Sequence, residues 1–156
     1  MKVRMILVVG VVACLWTVGT LCMGADITAG TWKLNAAKSK SSPGMTKYET
    51  ITIAAAGADM KITLEGTNGA GAKIKADWTG KYDGKDYPMT GNPDADTLSY
   101  TKVDDHNFKS TIKKGGKVAV SGTIVYSADG KTRTVTTSGT DAKGGKVSGT
   151  SVYDKK

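Results

Sequence analysis

The chain has 156 residues, 22 Lys plus Arg against 14 Asp plus Glu, a net charge of +8 and two cysteines. Both cysteines, Cys14 and Cys22, fall in the first apolar run, so the remainder is excluded from having a disulfide framework, a thiolate metal site or a cysteine nucleophile. Beyond residue 25 the positive charge is lysine, with Arg133 the single arginine, and no basic cluster stands beside stacking aromatics, which argues against a nucleic-acid partner.

Residues 1–25 read as a secretory signal. Lys2 and Arg4 give a basic start, residues 5–21 form an uncharged apolar run, and the small residues of "CMGA" precede Asp26, the first acid of the chain. Cleavage is expected near Gly24 or Ala25, which makes the protein exported, to the periplasm or the medium, with no stable membrane insertion afterwards. Two alternatives stay open. The 17-residue run sits at the short end of what a bilayer span needs, and "VVAC" (11–14) has the form of a lipoprotein box, although its flank "LWTVGTL" is apolar where a polar tether is expected.

The remaining residues, 26–156, form one domain long enough to fold on its own core. That core is thin: seven Ile, seven Val, three Leu and one Phe in 131 residues. Net charge over this part is only +6, while 19 threonines and six tyrosines add strand-forming side chains. This composition suits a lightly filled β protein rather than a disordered chain. Its scattered lysines read as solvated groups that keep strand edges soluble, with weak contact to anionic envelope polymers the one partner they suggest.

In chain order, short runs alternate with turn signals. "GTWKLN" opens, and the rest of the chain is punctuated by "AAGAD" (55–59), "TNGAG" (67–71), "YDGKD" (82–86), "GNPDAD" (91–96), "DDHN" (104–107), "KKGGK" (113–117), "SADGK" (127–131) and "DAKGGK" (141–146). The spacing is that of antiparallel hairpins, and Asp-Gly and Gly-Gly suit loops that need positive φ. The runs alternate with period two: Met60, Ile62 and Leu64; Ala72, Ile74, Ala76 and Trp78; Tyr87 with Met89; Leu98 with Tyr100; Phe108 with Ser110 and Ile112. One face is buried and the other wet. The spacing predicts an all-β, up-and-down antiparallel meander of about eight to ten strands, which removes its exposed edges by closing into a barrel. "KGGKVAVSGTIVY" (114–126) and "KGGKVSGTSVY" (143–153) are two similar arms, and even spacing puts Val118 with Tyr126, and Val147 with Tyr153, on one face.

Gly30-Thr31-Trp32, in the opening strand of such a meander, resembles the Gly-x-Trp signature of the calycin group, the lipocalins and fatty-acid-binding proteins. "GTSVYDKK" resembles the last strand of the fatty-acid-binding type. The chain looks closer still to uncharacterised secreted lipocalin-like proteins of bacteria, for which the resemblance supplies a fold and no assigned activity. The resemblance implies that Gly30 and Trp32 belong to a plug at the base of the barrel and that a basic side chain from a late strand crosses the tryptophan, with Arg133 as the candidate. Fatty-acid-binding relatives hold a carboxylate with Arg-x-Tyr on the last strand. Here Ser151 and Tyr153 occupy those places, so the arginine is missing. "NAAKSKSSPGMT" (35–46) stands where relatives carry a helical lid and is too short for two helices.

Other constellations reduce to turns. His106 is the only histidine, far from a zinc or triad set. Asn92, Asp94 and Asp96 alternate like the start of a calcium loop, but the sixth and twelfth positions are Thr97 and Val103 rather than Gly and Glu. "NGAGAK" (68–73) joins two strands, not a strand and a helix. No enzyme, metal site or cofactor is expected. The aromatic set Trp78, Tyr87, Tyr100, Phe108, Tyr126 and Tyr153, with Ser151 beside it, is either plain core or the wall of a pocket for a small, largely apolar ligand. The small residues Ala72, Ala76, Gly122, Gly149 and Ser151 on the same faces favour a cavity. The alternative is a cell-envelope interaction module with a filled barrel.

Overall fold

A computed structural model describes residues 26–140 and 144–156; the signal and lipoprotein readings concern residues outside these. The regular structure of the described residues is strand: β1 (Gly30–Leu34), β2 (Lys40–Ser41), β3 (Lys47–Ala56), β4 (Asp59–Thr67), β5 (Lys73–Gly80), β6 (Tyr87–Thr90), β7 (Thr97–Lys102), β8 (Asn107–Lys114), β9 (Lys117–Tyr126), β10 (Thr132–Thr140) and β11 (Lys146–Lys155), with a single 3₁₀ turn at Ala36–Lys38. From β3 to β11 each strand pairs antiparallel with the next in sequence. The sheet closes where Trp32 meets Lys155 and Leu34 meets Tyr153. Further along, β11 pairs with β2 at Gly149↔Ser41. Thus β1 and β2 lie end to end on one flank of β11, and the expected calycin-like meander is a closed barrel of ten strand positions.

The turns obey the expected chemistry. Gly115 and Gly116 have φ of 56° and 74° and form the two-residue loop between β8 and β9, the conformation whose twist matches the flanking strands. Inward residues change character along the barrel. Phe108 and Ile124, opposite each other, are buried. The next inward row, Ser110, Gly122, Thr137 and Gly149, is half-exposed. The barrel therefore has an aromatic base, near residues 26–29, and a more polar mouth.

Two sequence expectations change. A bulge breaks the register between β8 and β9, pairing Ile112 with Val120 but Lys113 with Val118. The extra residue, Ala119, flips the strand face, so Val118 is 57% exposed while Val147, its counterpart in the second arm, is buried. Nor do the small residues leave space. Ala72 lies in an exposed turn. A Cβ on Gly122 would approach Ser110 Oγ to 2.9 Å and Thr137 Cγ2 to 3.1 Å, and one on Gly149 would stand 3.0 Å from the Lys40 carbonyl oxygen. Glycine at these points lets neighbouring strands and side chains close in.

Candidate functional site

The aromatic base is built from several strands and one strap. Trp32 on β1 is fully buried; its indole N–H donates to the Thr28 carbonyl at 2.9 Å, and its ring meets Tyr126 edge-on at 5.3 Å. The cation over Trp32 is Lys155 rather than Arg133: Lys155 Nζ stands 5.2 Å from the ring and donates to the Ile27 carbonyl at 3.2 Å. The pairing Trp32↔Lys155 dictates this, because directly opposed residues share a face. Gly30 is required by its φ of 128°, which L side chains rarely adopt, and a Cβ there would in addition come within 2.8 Å of the flexible Lys155 Cε.

Arg133 occupies the centre instead. Its register partners are Tyr126 on β9 and Tyr153 on β11, and its guanidinium carbon lies 5.9 Å and 5.5 Å from their ring centroids. Its Nε donates to the Tyr126 hydroxyl at 3.2 Å. Trp78 on β5 donates its indole N–H to the Leu98 carbonyl at 2.7 Å and meets Tyr100 edge-on at 5.0 Å. Phe108 meets Tyr126 at 5.6 Å. Trp78, Tyr100, Phe108, Tyr126 and Tyr153 therefore all join the same buried core.

Two predicted residues lie at its margin. Tyr87 packs its ring edge-on to Trp78 at 5.8 Å, but its hydroxyl turns outward and donates to Asp83 at 3.1 Å. Ser151 is half-exposed in the row of Val135 and Ile124, with its hydroxyl against that of Tyr153.

Tyr82 was not expected in this site. It belongs to the connection between β5 and β6, where "YDGKD" signals only a turn. This connection runs as a strap along β7: the Lys102 N–H donates to the Tyr82 carbonyl at 3.1 Å, the Gly84 N–H donates to the Tyr100 carbonyl at 2.8 Å, and Asp83 bridges to Thr101. The Tyr82 ring is thereby placed parallel to Trp78 at 6.4 Å and edge-on to Tyr100 at 5.8 Å and Phe108 at 5.2 Å. Its hydroxyl lies 3.3 Å from Thr28 Oγ1. Residues 26–29 and Tyr82 together stopper the base.

Between Tyr82, Tyr100, Phe108, Tyr126, Ile62 and Arg133 remains a cavity of about 10 Å³, room for one water-sized guest. Burial pushes the Tyr100 hydroxyl up to about 12, and burial likewise raises Tyr126 and Tyr153, with Arg133 drawing all three back. At neutral pH these hydroxyls stay protonated. At the rim, a wide-open groove of about 490 Å³ between β2, β10 and β11 is walled by hydroxyls such as Ser42, Thr136 and Thr150 with Lys40, and none of the residues lining it is aromatic.

The remaining sequence candidates serve turns. Asp104 accepts the N–H groups of His106 and Asn107. Asn92 donates to the Tyr48 hydroxyl at 2.7 Å and accepts the Asp94 N–H at 2.9 Å. Asp96 holds Lys114 and the Gly115 N–H across the neighbouring hairpin. Asn68 caps its own turn by accepting from Ala70 and Ala72. Among the described residues no three His, Cys, Asp or Glu side chains are grouped to hold a metal.

No family model matches the chain, and no curated protein matches it. Among solved structures it is similar to a redesigned β-barrel, mFAP1, bound to DFHBI, at 16% identity over 83% of this chain and 95% of that chain, with a TM-score of 0.41.

Proposed function

We propose that the chain is an exported, non-enzymatic β-barrel that takes a small, largely apolar ligand into its aromatic base. One observation carries this reading. The base is walled by Trp78, Tyr100, Phe108 and Tyr126 on barrel strands, whereas the ring that fills the space between them, Tyr82, comes from a strap outside the barrel wall. A guest that displaces this one ring inherits its aromatic contacts and opens onto Arg133 and the tyrosine hydroxyls, without any change in the strands. The ligand is flat and apolar over most of its surface, with an acceptor at one end. The apolar leader at residues 5–21 supports export.

A second reading is favoured by the 10 Å³ cavity: a filled barrel that acts through its lysine-bearing outer face as an envelope interaction module. Titration with a panel of lipophilic aromatic dyes separates the two. Saturable dye emission with quenching of Trp78 is the expected result. A flat response across the panel removes the ligand reading and leaves the filled module.

A further inference from the structure

Arg133 is 3% exposed, and its Nη1 atom is buried without a hydrogen-bond partner. Among the described residues no carboxylate lies within ion-pairing distance of it. Its neighbours are the faces of Tyr126 and Tyr153, the Tyr126 hydroxyl, which accepts from Nε, and the Tyr100 hydroxyl, on which its charge acts. Two ring faces offset part of the cost of burying a cation, but a guanidinium with no counter-charge remains an expensive arrangement.

The same side chain lines the 10 Å³ cavity with Tyr82, Tyr100 and Tyr126. This space has the size of a single-atom guest. The Tyr126 hydroxyl has its own proton left to donate, and the Tyr100 hydroxyl stays protonated, so both can act as donors. In contrast, Tyr153 is committed to the Tyr48 carbonyl at 3.0 Å. The cavity thus offers a cation with a free N–H and two phenol donors, and no acid. A water would satisfy Nη1 and leave the charge uncompensated. A monatomic anion would satisfy both, whereas a sulfate or a carboxylate exceeds the space while Tyr82 is in place.

We infer that the barrel interior holds one halide-class anion, chloride in physiological media, on Arg133 Nη1 between Tyr100 and Tyr126. The site is independent of the ligand reading, since it uses the cavity that exists with the Tyr82 ring in position.

Thermal unfolding of the protein in gluconate, with chloride substituted at constant ionic strength, tests this. The expected Tm is flat well below the Kd and then rises with the logarithm of chloride concentration, by about 5 °C at ten times the Kd; bromide acts alike and sulfate does not. The specific shift disappears in Arg133→Met. An equal shift in Arg133→Met overturns the inference, as does the absence of any halide effect in the wild type. Because Arg133→Met removes a core contact and its folding is not guaranteed, anomalous diffraction from bromide-soaked wild-type crystals gives a second arm. A bromide peak against Nη1 supports the site. Bromide on surface lysines alone, an adventitious ion only, or a water in the cavity overturns it.

Discussion

Replacing Tyr82 with alanine separates the ring's part in stability from its part in occupying a ligand's place. The substitution removes a ring that touches Trp78, Tyr100 and Phe108 at centroid distances of 6.4, 5.8 and 5.2 Å, together with the hydroxyl contact to Thr28. Truncating a fully buried aromatic costs about 3–5 kcal/mol. Tyr82 is only partly buried, which brings the expected loss to roughly 2–3 kcal/mol and the fall in Tm to roughly 10 °C. A domain with ordinary stability survives that. In the wild type a guest must expel the ring at about the same cost, whereas in the variant the space is already open. Dye affinity is therefore expected to rise roughly 30- to 150-fold, the binding equivalent of 2–3 kcal/mol. Equilibrium fluorescence titration beside urea unfolding gives both numbers. A variant that loses the stability yet binds dye no better than the wild type refutes the idea that Tyr82 stands where the ligand goes.

Other consequences concern the frame. All six tyrosines beyond residue 25 have hydroxyl pKa values raised above the usual 10, with burial the leading cause in each. A raised folded-state value contributes stability that is fully present below pH 10 and lost as pH rises through the folded value, so the phenolate absorbance of the five tyrosines other than the outward-turned Tyr87 should rise cooperatively with unfolding on alkaline titration; independent, stepwise ionisation of those five in a folded barrel would contradict this. Lys155→Met removes the cation over Trp32 and the bond to the Ile27 carbonyl; urea unfolding should show a loss of about 1–2 kcal/mol. Gly139→Ala puts a Cβ into the Ala119 carbonyl and 2.8 Å from Val120 Cα, and a loss of about 3 kcal/mol or a failure to fold is expected, read as the urea midpoint or the soluble yield.

The architecture was legible in the sequence because its signals are local. Period-two runs such as Met60-Ile62-Leu64 and turn pairs such as Gly115-Gly116 fix strands and hairpins one at a time, and a meander needs nothing more than neighbours pairing in order. Trp32 was legible for the same reason, as part of a short pattern in the first strand. What escaped depended on long-range register. Lys155 reaches Trp32 because the last strand closes on the first, and no local pattern distinguishes it from Arg133 as the cation over the ring. The Ala119 bulge reverses a face that even spacing had assigned to Val118. Tyr82 was hidden by its own good turn sequence: Asp83 and Gly84 announce a loop, and only the backbone bonds to β7 fold that loop back as a strap. The small residues misled in the opposite direction. Gly122 and Gly149, taken as inward positions, suggest empty space, but they mark where Ser110, Thr137 and β2 come close.

Native mass spectrometry of the protein, purified without denaturation from the compartment in which it accumulates, bears most directly on the central claim that the base of the barrel takes a small ligand. A ligand-binding base predicts a mass excess that persists through buffer exchange, is released on collisional activation as a small, largely apolar molecule, and returns when that molecule is added to the stripped protein. A clean apo mass, unchanged by a panel of lipophilic ligands, would contradict it.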